Sequence, residues 1–230
     1  MVLSIQKVLR LMREMIEEVE PGTLTALGEM NKKEKVNPFK ILVSTVLSHR
    51  TRDENTSKAT NRLFSVIKTP QDLLNLKNDE IVDMIRTVGF YNVKAKRLKE
   101  LALDLLKRFN GIVPRNLKDL LTLPAVGRKT ANCVLVYGFN IPAIPVDTHV
   151  HRIANRLGLV CTNNPDETES ELSQIVSRKY WLDVNELFVR FGQTVCKPIS
   201  PICRKCKLND DCKFYSLTTN KCVTNTMSKN

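Results

Sequence analysis

The sequence predicts an all-α fold. Leu, Ile, Lys and Glu recur at helical spacing in long runs, alternating strand patterns are few, and only 8 of 230 residues are glycine. Helix-start signatures, in which a capping Asn, Thr or Asp precedes an apolar-periodic segment, recur along the chain. At this length the chain suits one large or two small domains, with 42% hydrophobic residues to build their cores. Lys and Arg outnumber Asp and Glu by 36 to 24, a formal charge of +12, and the isoelectric point is about 9.5. Such a balance calls for a polyanionic partner and a salt-sensitive affinity. A membrane surface fits less well, because no basic amphipathic segment carries aromatic anchors. The N-terminal run from Met1 has neither an uninterrupted apolar stretch nor a small-residue cleavage site, so no targeting signal is expected and the protein should be cytoplasmic and nucleoid-associated.

In chain order, Ser4 to Glu20 places Ile5, Val8, Leu9, Met12, Ile16 and Val19 on one stripe of a helix ended by Pro21-Gly22. That stripe needs a packing partner elsewhere. Asn37-Pro38 starts a second helix that runs through the nearly all-apolar Ile41–Leu47 and so lies buried on most sides. The polar run Ser48-His49-Arg50-Thr51-Arg52-Asp53 connects it to the next helix, with Asp53 as cap. Thr69-Pro70-Gln71-Asp72 and Asn78-Asp79-Glu80 begin two more. Gly89 centres a turn into a basic helix over Ala95–Arg108, and Phe90-Tyr91 in that turn reads most simply as a core plug. Asn116 caps a short helix, and Arg128 to Val136 forms another. Asn164-Pro165-Asp166-Glu167 opens a helix expected to reach Tyr180, and Asp183 caps the last before a cysteine-rich loop.

The chemistry concentrates in Leu123-Pro124-Ala125-Val126-Gly127-Arg128-Lys129-Thr130-Ala131-Asn132, followed eighteen residues after its lysine by Asp147-Thr148-His149. A hairpin feeding a helix through Gly127 aims backbone N–H groups and the positive end of the helix dipole at one point, which makes an anion site. In a protein this basic, a nucleic-acid phosphate is the expected anion. Lys129 lies in the helix first turn, where the dipole and Arg128 both disfavour an ammonium and bias it toward the neutral, nucleophilic amine. Alone, such a lysine is ordinarily a phosphate contact or simply solvated, and Asp147 alone is a good N-cap. His149 and His151 are two apart on a helix and face different ways, so they cannot share a metal.

Together, this hairpin with its lysine and the Val-Asp-Thr-His run resemble the endonuclease III family of helix-hairpin-helix DNA glycosylases. The resemblance spans about Asn37 to Cys212 and implies two helical domains flanking a DNA-binding groove. One is a six-helix domain over 31–141, with the hairpin at about 116–139. The other is discontinuous, made of 1–30 and 142–230. It implies removal of damaged bases, expected to be oxidised pyrimidines, from double-stranded DNA by a monomer, with Lys129 forming the Schiff base, Asp147 as catalytic aspartate and strand cleavage 3′ to the abasic site. Ala125, Val126 and Gly127 of the hairpin, Arg50, Phe90 and Asn92 are its implied DNA contacts, Arg50 filling the gap left by the extruded base and Phe90 wedging beside it. Two positions depart from the family pattern: Ala125 stands where relatives carry Gly, and Arg50 where they carry Gln. The adenine-mismatch branch of the superfamily typically has a Glu at the position of Thr45 and lacks the lysine, as thymine-mismatch relatives also do. A pure DNA-binding module would need neither Lys129 nor Asp147.

Four of the seven cysteines, Cys196, Cys203, Cys206 and Cys212, are separated by six, two and five intervening residues. Thiolates this close converge on a soft-metal centre, and by cysteine chemistry alone zinc and iron–sulfur both suit them. The spacing resembles the [4Fe–4S] loop of the endonuclease III family, which implies that cofactor. Lys197, Arg204, Lys205, Lys207 and Lys213 would make the loop a cationic surface for phosphates. Cys133 and Cys161 read as packing residues, and Cys222 in the polar tail has no assigned role.

Overall fold

The computed structural model describes residues 4–22, 24–25, 27–28 and 37–219; Cys222 lies outside them. Among these residues every regular element is helical, and no helix is long and apolar enough to cross a membrane. The chain divides into two compact units, Leu24–Pro145 and a discontinuous one of Met1–Thr23 with Val146–Asn230.

The inner unit is built around α2 (Pro38–Ser48). Asn37 caps it, its side chain accepting from Phe39 N–H at 3.0 Å, and Pro38 occupies the first position. Eight of its residues, Phe39 and Ile41 to Leu47, are buried, so this helix is the core rather than one face of it. Its hydroxyls are satisfied within that core: Thr45 Oγ1 donates to Ile41 O at 2.8 Å, and Thr60 Oγ1 to Ser44 Oγ at 3.3 Å. Around it pack α3 (Asp53–Phe64), α6 (Tyr91–Phe109), α8 (Arg128–Cys133) and the single π-helical turn Val134–Gly138 that continues α8. The α-helix expected to reach Val136 thus changes pitch after Cys133. Completing the unit are α4 (Pro70–Asn75), α5 (Asn78–Ile85) and α7 (Leu117–Leu120). Thr69 and Asp72 form a reciprocal capping box on α4, and Asn116 caps α7 through Asp119 N–H at 2.9 Å.

In the discontinuous unit, α1 (Ile5–Val19) buries Val8, Leu9, Leu11, Met12, Met15 and Ile16 against α11 (Trp181–Thr194). The long-range partner its stripe demanded is therefore a helix from the other end of the chain. Arg190, 6% exposed, fastens the pair by donating to Glu20 O at 2.9 Å. The other face of α11 meets α9 (Thr148–Leu157), which also carries α10 (Pro165–Ile175).

Several expected boundaries move. Asp53 and Asp183 lie inside the first turns of α3 and α11, whose caps are Arg52 and Tyr180; acids there favour the dipole without capping. Lys77 rather than Asn78 caps α5, its N–H held by Glu80 at 2.6 Å. The basic helix starts four residues early, at Tyr91. The helix expected to reach Tyr180 stops at Ile175, because Val176 turns extended and its carbonyl accepts from Trp181 Nε1 at 2.8 Å. Cys133 is fully buried as expected, but Cys161 is exposed and outside any helix.

Candidate active-site residues

The hairpin of the inner unit turns on Ala125, not on a glycine. Ala125 has φ 62°, a left-handed conformation that costs an L-residue about 1–2 kcal/mol. Gly127 caps α8 at φ −95°, where any residue fits, and a Cβ there would meet nothing within 4 Å. The left-handed strain thus falls on the alanine, and the glycine contributes open space beside the backbone. Val126 is buried, and its N–H is already given to Leu123 O at 3.2 Å. Lys129 is half-buried in the first turn of α8.

Beside Lys129 stands a residue that spacing did not single out. The His49 ring places Nε2 2.9 Å from Thr130 Oγ1. Burial, then the positive charges of Lys129 and Lys94, push the His49 pKa down from 6.5 to about 4. At neutral pH an uncharged imidazole therefore adjoins the lysine. His49 and Thr130 are 81 positions apart. The only local signal was the abrupt polar run after an all-apolar helix.

That run bends back on itself, with Arg50 at φ 53° and exposed. Its guanidinium lies 4.9 Å from the centre of the Phe90 ring. Phe90 is no core plug: it caps α6 at φ 58°, and 59% of it is exposed. Asn92 is exposed one turn position further on. The two loops approach so closely that a Cβ on Gly89 would lie 3.1 Å from Arg50 O. Thr45, at the position of the mismatch branch's Glu, is fully buried with its hydroxyl engaged.

In the other unit Asp147 caps α9, one carboxylate oxygen accepting from His149 N–H at 2.8 Å and Val150 N–H at 2.9 Å. The carboxylate is held by backbone, so its direction is set by the helix. Behind it, Arg152 donates to Gly192 O at 3.3 Å and Cys196 O at 2.9 Å, tying α9 to the cysteine loop. Arg156 reaches the same loop through Lys197 O at 2.8 Å and Pro198 O at 2.9 Å, and stacks 4.4 Å from the Phe214 ring centre.

All four loop cysteines line one small apolar pocket, with Phe191, Ile202 and Phe214 among its walls. Burial and the neighbouring thiols push the Cys203, Cys206 and Cys212 pKa values up, that of Cys206 to about 11. Four convergent thiols, these three held from ionising by burial, fit a soft cationic centre, which would supply the missing charge. Among the described residues no three His, Cys, Asp or Glu gather tightly enough to hold a single metal ion. The loop's cations are not all free for phosphates: Lys207 is turned onto α1, where Glu18 pairs with it and raises its pKa.

Residues 43–178 match the HhH-GPD superfamily of base excision DNA repair proteins. Endonuclease III of Thermotoga maritima is 50% identical over 201 residues, 87% of this chain and 93% of its own. The chain belongs to the endonuclease III family. A structure of a trapped endonuclease III–DNA covalent intermediate is similar with a TM-score of 0.81 at 34% identity, covering 94% of this chain and 99% of that one. A thermostable thymine-DNA glycosylase is similar at 0.74 and 27% identity, over 90% of this chain and 97% of its own. Lys129 and Asp147 both lie within the matched residues 43–178.

Proposed function

We propose that Lys129 and Asp147 carry out, in this chain, the two-step chemistry of a DNA glycosylase with abasic-site lyase activity acting in base excision repair. Damaged bases are its substrates, and oxidised pyrimidines in double-stranded DNA are the class we assign. The base must first leave the stack, at a cost of a few kcal/mol that damage partly offsets. Neutral Lys129 then attacks C1′, the base departs, and Asp147 stabilises the positive charge that develops on the sugar. The sugar ring then opens, the C1′–O4′ bond breaking to leave a 4′-hydroxyl and the Schiff base, from which loss of a C2′ proton and β-elimination break the C3′–O bond. Arg50, Phe90, Asn92 and the Ala125–Gly127 backbone are assigned to DNA.

The observation that carries this reading is that both chemical groups are built rather than incidental. A carboxylate fixed by two backbone N–H groups cannot swing away from its station, and the lysine beside it in function sits next to an imidazole kept neutral. Cys196, Cys203, Cys206 and Cys212 are assigned to a [4Fe–4S] cluster, which when bound supplies a rigid brace and a redox-active centre. The buried, engaged Thr45 speaks against the adenine-mismatch alternative.

Borohydride trapping on abasic DNA tests the assignment. Lys129→Gln should abolish the protein–DNA adduct. Asp147→Asn keeps a capping side chain but removes the charge, so it should melt like the parent while losing about 100- to 1,000-fold in base excision. An adduct that survives Lys129→Gln refutes the reading.

A further inference from the structure

Lys94 lies in the first turns of α6 and is 7% exposed. A buried ammonium needs its charge compensated and all three of its hydrogens bonded. No carboxylate among the described residues does this. Lys94 Nζ instead donates to Leu47 O at 2.7 Å, His49 O at 2.6 Å and Thr51 Oγ1 at 3.0 Å. Two of these acceptors are carbonyls at the C-terminal end of α2, where the helix dipole favours a cation. The third, Thr51 Oγ1, also accepts the Gly89 N–H at 3.1 Å. A single ammonium therefore joins the end of α2, the Arg50 loop and the Gly89-Phe90 turn. Arg50 and Phe90 are the exposed left-handed tips of the two loops so joined, and they stack on each other.

We infer that Lys94 is a positioning residue that locks Arg50 and Phe90 into one preformed block, so that gap filling and wedging occur as a single event. This rests on the assignment of those two side chains to DNA made above. Three donors must converge tetrahedrally on three acceptors; a planar guanidinium cannot do so, and a thioether has none to give. Burial lowers the Lys94 pKa to about 8, as expected of an ammonium compensated by carbonyls rather than a carboxylate. His49 on the adjoining loop is the titratable group facing Lys94, and it also feels the charge of Lys129 on the next helix.

A ratio of two activities tests the lock. Excision of an oxidised pyrimidine from a duplex requires a base to be extruded and its gap filled, whereas borohydride trapping on a single-stranded abasic oligonucleotide requires neither. Lys94→Met should lose about 10- to 100-fold of the duplex rate while trapping on the single strand stays within about 3-fold. Lys94→Arg should not rescue it. Thr51→Val leaves Lys94 in place and removes only the shared hydroxyl, and it should shift the ratio in the same direction by a smaller factor. A Lys94→Met protein with the parental ratio, or with both activities lost equally while Thr51→Val leaves the ratio unchanged, overturns the proposal. A parent protein that excises the duplex lesion yet traps on neither substrate overturns the Lys129 assignment instead.

Discussion

Acidification should destabilise this protein through His49, by an amount the structure bounds. The His49 pKa in the folded chain is about 4, against 6.5 when exposed. Between those values the unfolded chain binds a proton that the folded chain refuses. Stability is therefore whole above pH 6.5 and falls as pH drops through 4. The full linkage value of the displacement is about 3 kcal/mol, and partial exposure of the ring reduces it to about 1–2 kcal/mol. For a chain of this length that corresponds to about 2–5 °C in Tm. Carboxylates titrate over an overlapping range, so the comparison must be made against a variant. His49→Gln retains an amide that can reach Thr130 in the place of Nε2 but does not titrate. Thermal melts followed by circular dichroism at about pH 7 and about pH 4.5 should show the parent losing about 2–5 °C more than His49→Gln. Equal losses in the two proteins would falsify the neutral, buried imidazole.

Ala125→Gly should relieve the left-handed alanine at φ 62°; set against the greater freedom of glycine in the unfolded chain, the gain is a few tenths to about 1 kcal/mol, read as a higher urea midpoint. Gly192→Ala should do the opposite. Its Cβ would lie 2.5 Å from His149 Nδ1, 2.9 Å from Arg152 Nη2 and 3.0 Å from Ile153 Cδ1, so these α9 side chains must give way, costing about 1–3 kcal/mol and slowing base excision through the Asp147 end of the helix. Anaerobically purified protein should absorb broadly in the visible, and Cys203→Ser should remove most of that band; colourless parent protein carrying zinc would reassign the pocket.

What could be read from the sequence was what local chemistry determines. Asn37, Thr69, Asn116, Asp147 and Asn164 all cap the helices they precede, because a short polar side chain meets N–H groups only two or three residues ahead. The same logic overreached at Asp53 and Asp183, since an acid one to three residues inside a helix start is equally favoured by the dipole. The placement of Lys129 in a helix first turn and of the four cysteines around one pocket was legible from motif spacing. His49 and Lys94 were not. Their partners lie 81 positions away at Thr130 and 43 to 47 positions away along the α2 end and its loop, and nothing in a local window distinguishes a buried lysine from the solvated ones around it. The early end of α10 was missed for a different reason: the Val176 carbonyl accepts from the Trp181 indole only five positions on, a side-chain contact that helix-start signatures do not register.

The union of α1 with α11 has a consequence for how the protein is made. Ribosomes deliver α1 first, yet the surface that covers Met12 and Ile16 is encoded some 160 residues later. At elongation speeds of about 5–20 residues per second the greasy stripe stays naked for about 10–30 s, while the intervening unit is already emerging. Nascent chains must survive that interval, and a messenger truncated ahead of α11 should yield an aggregating product instead of a soluble half-enzyme.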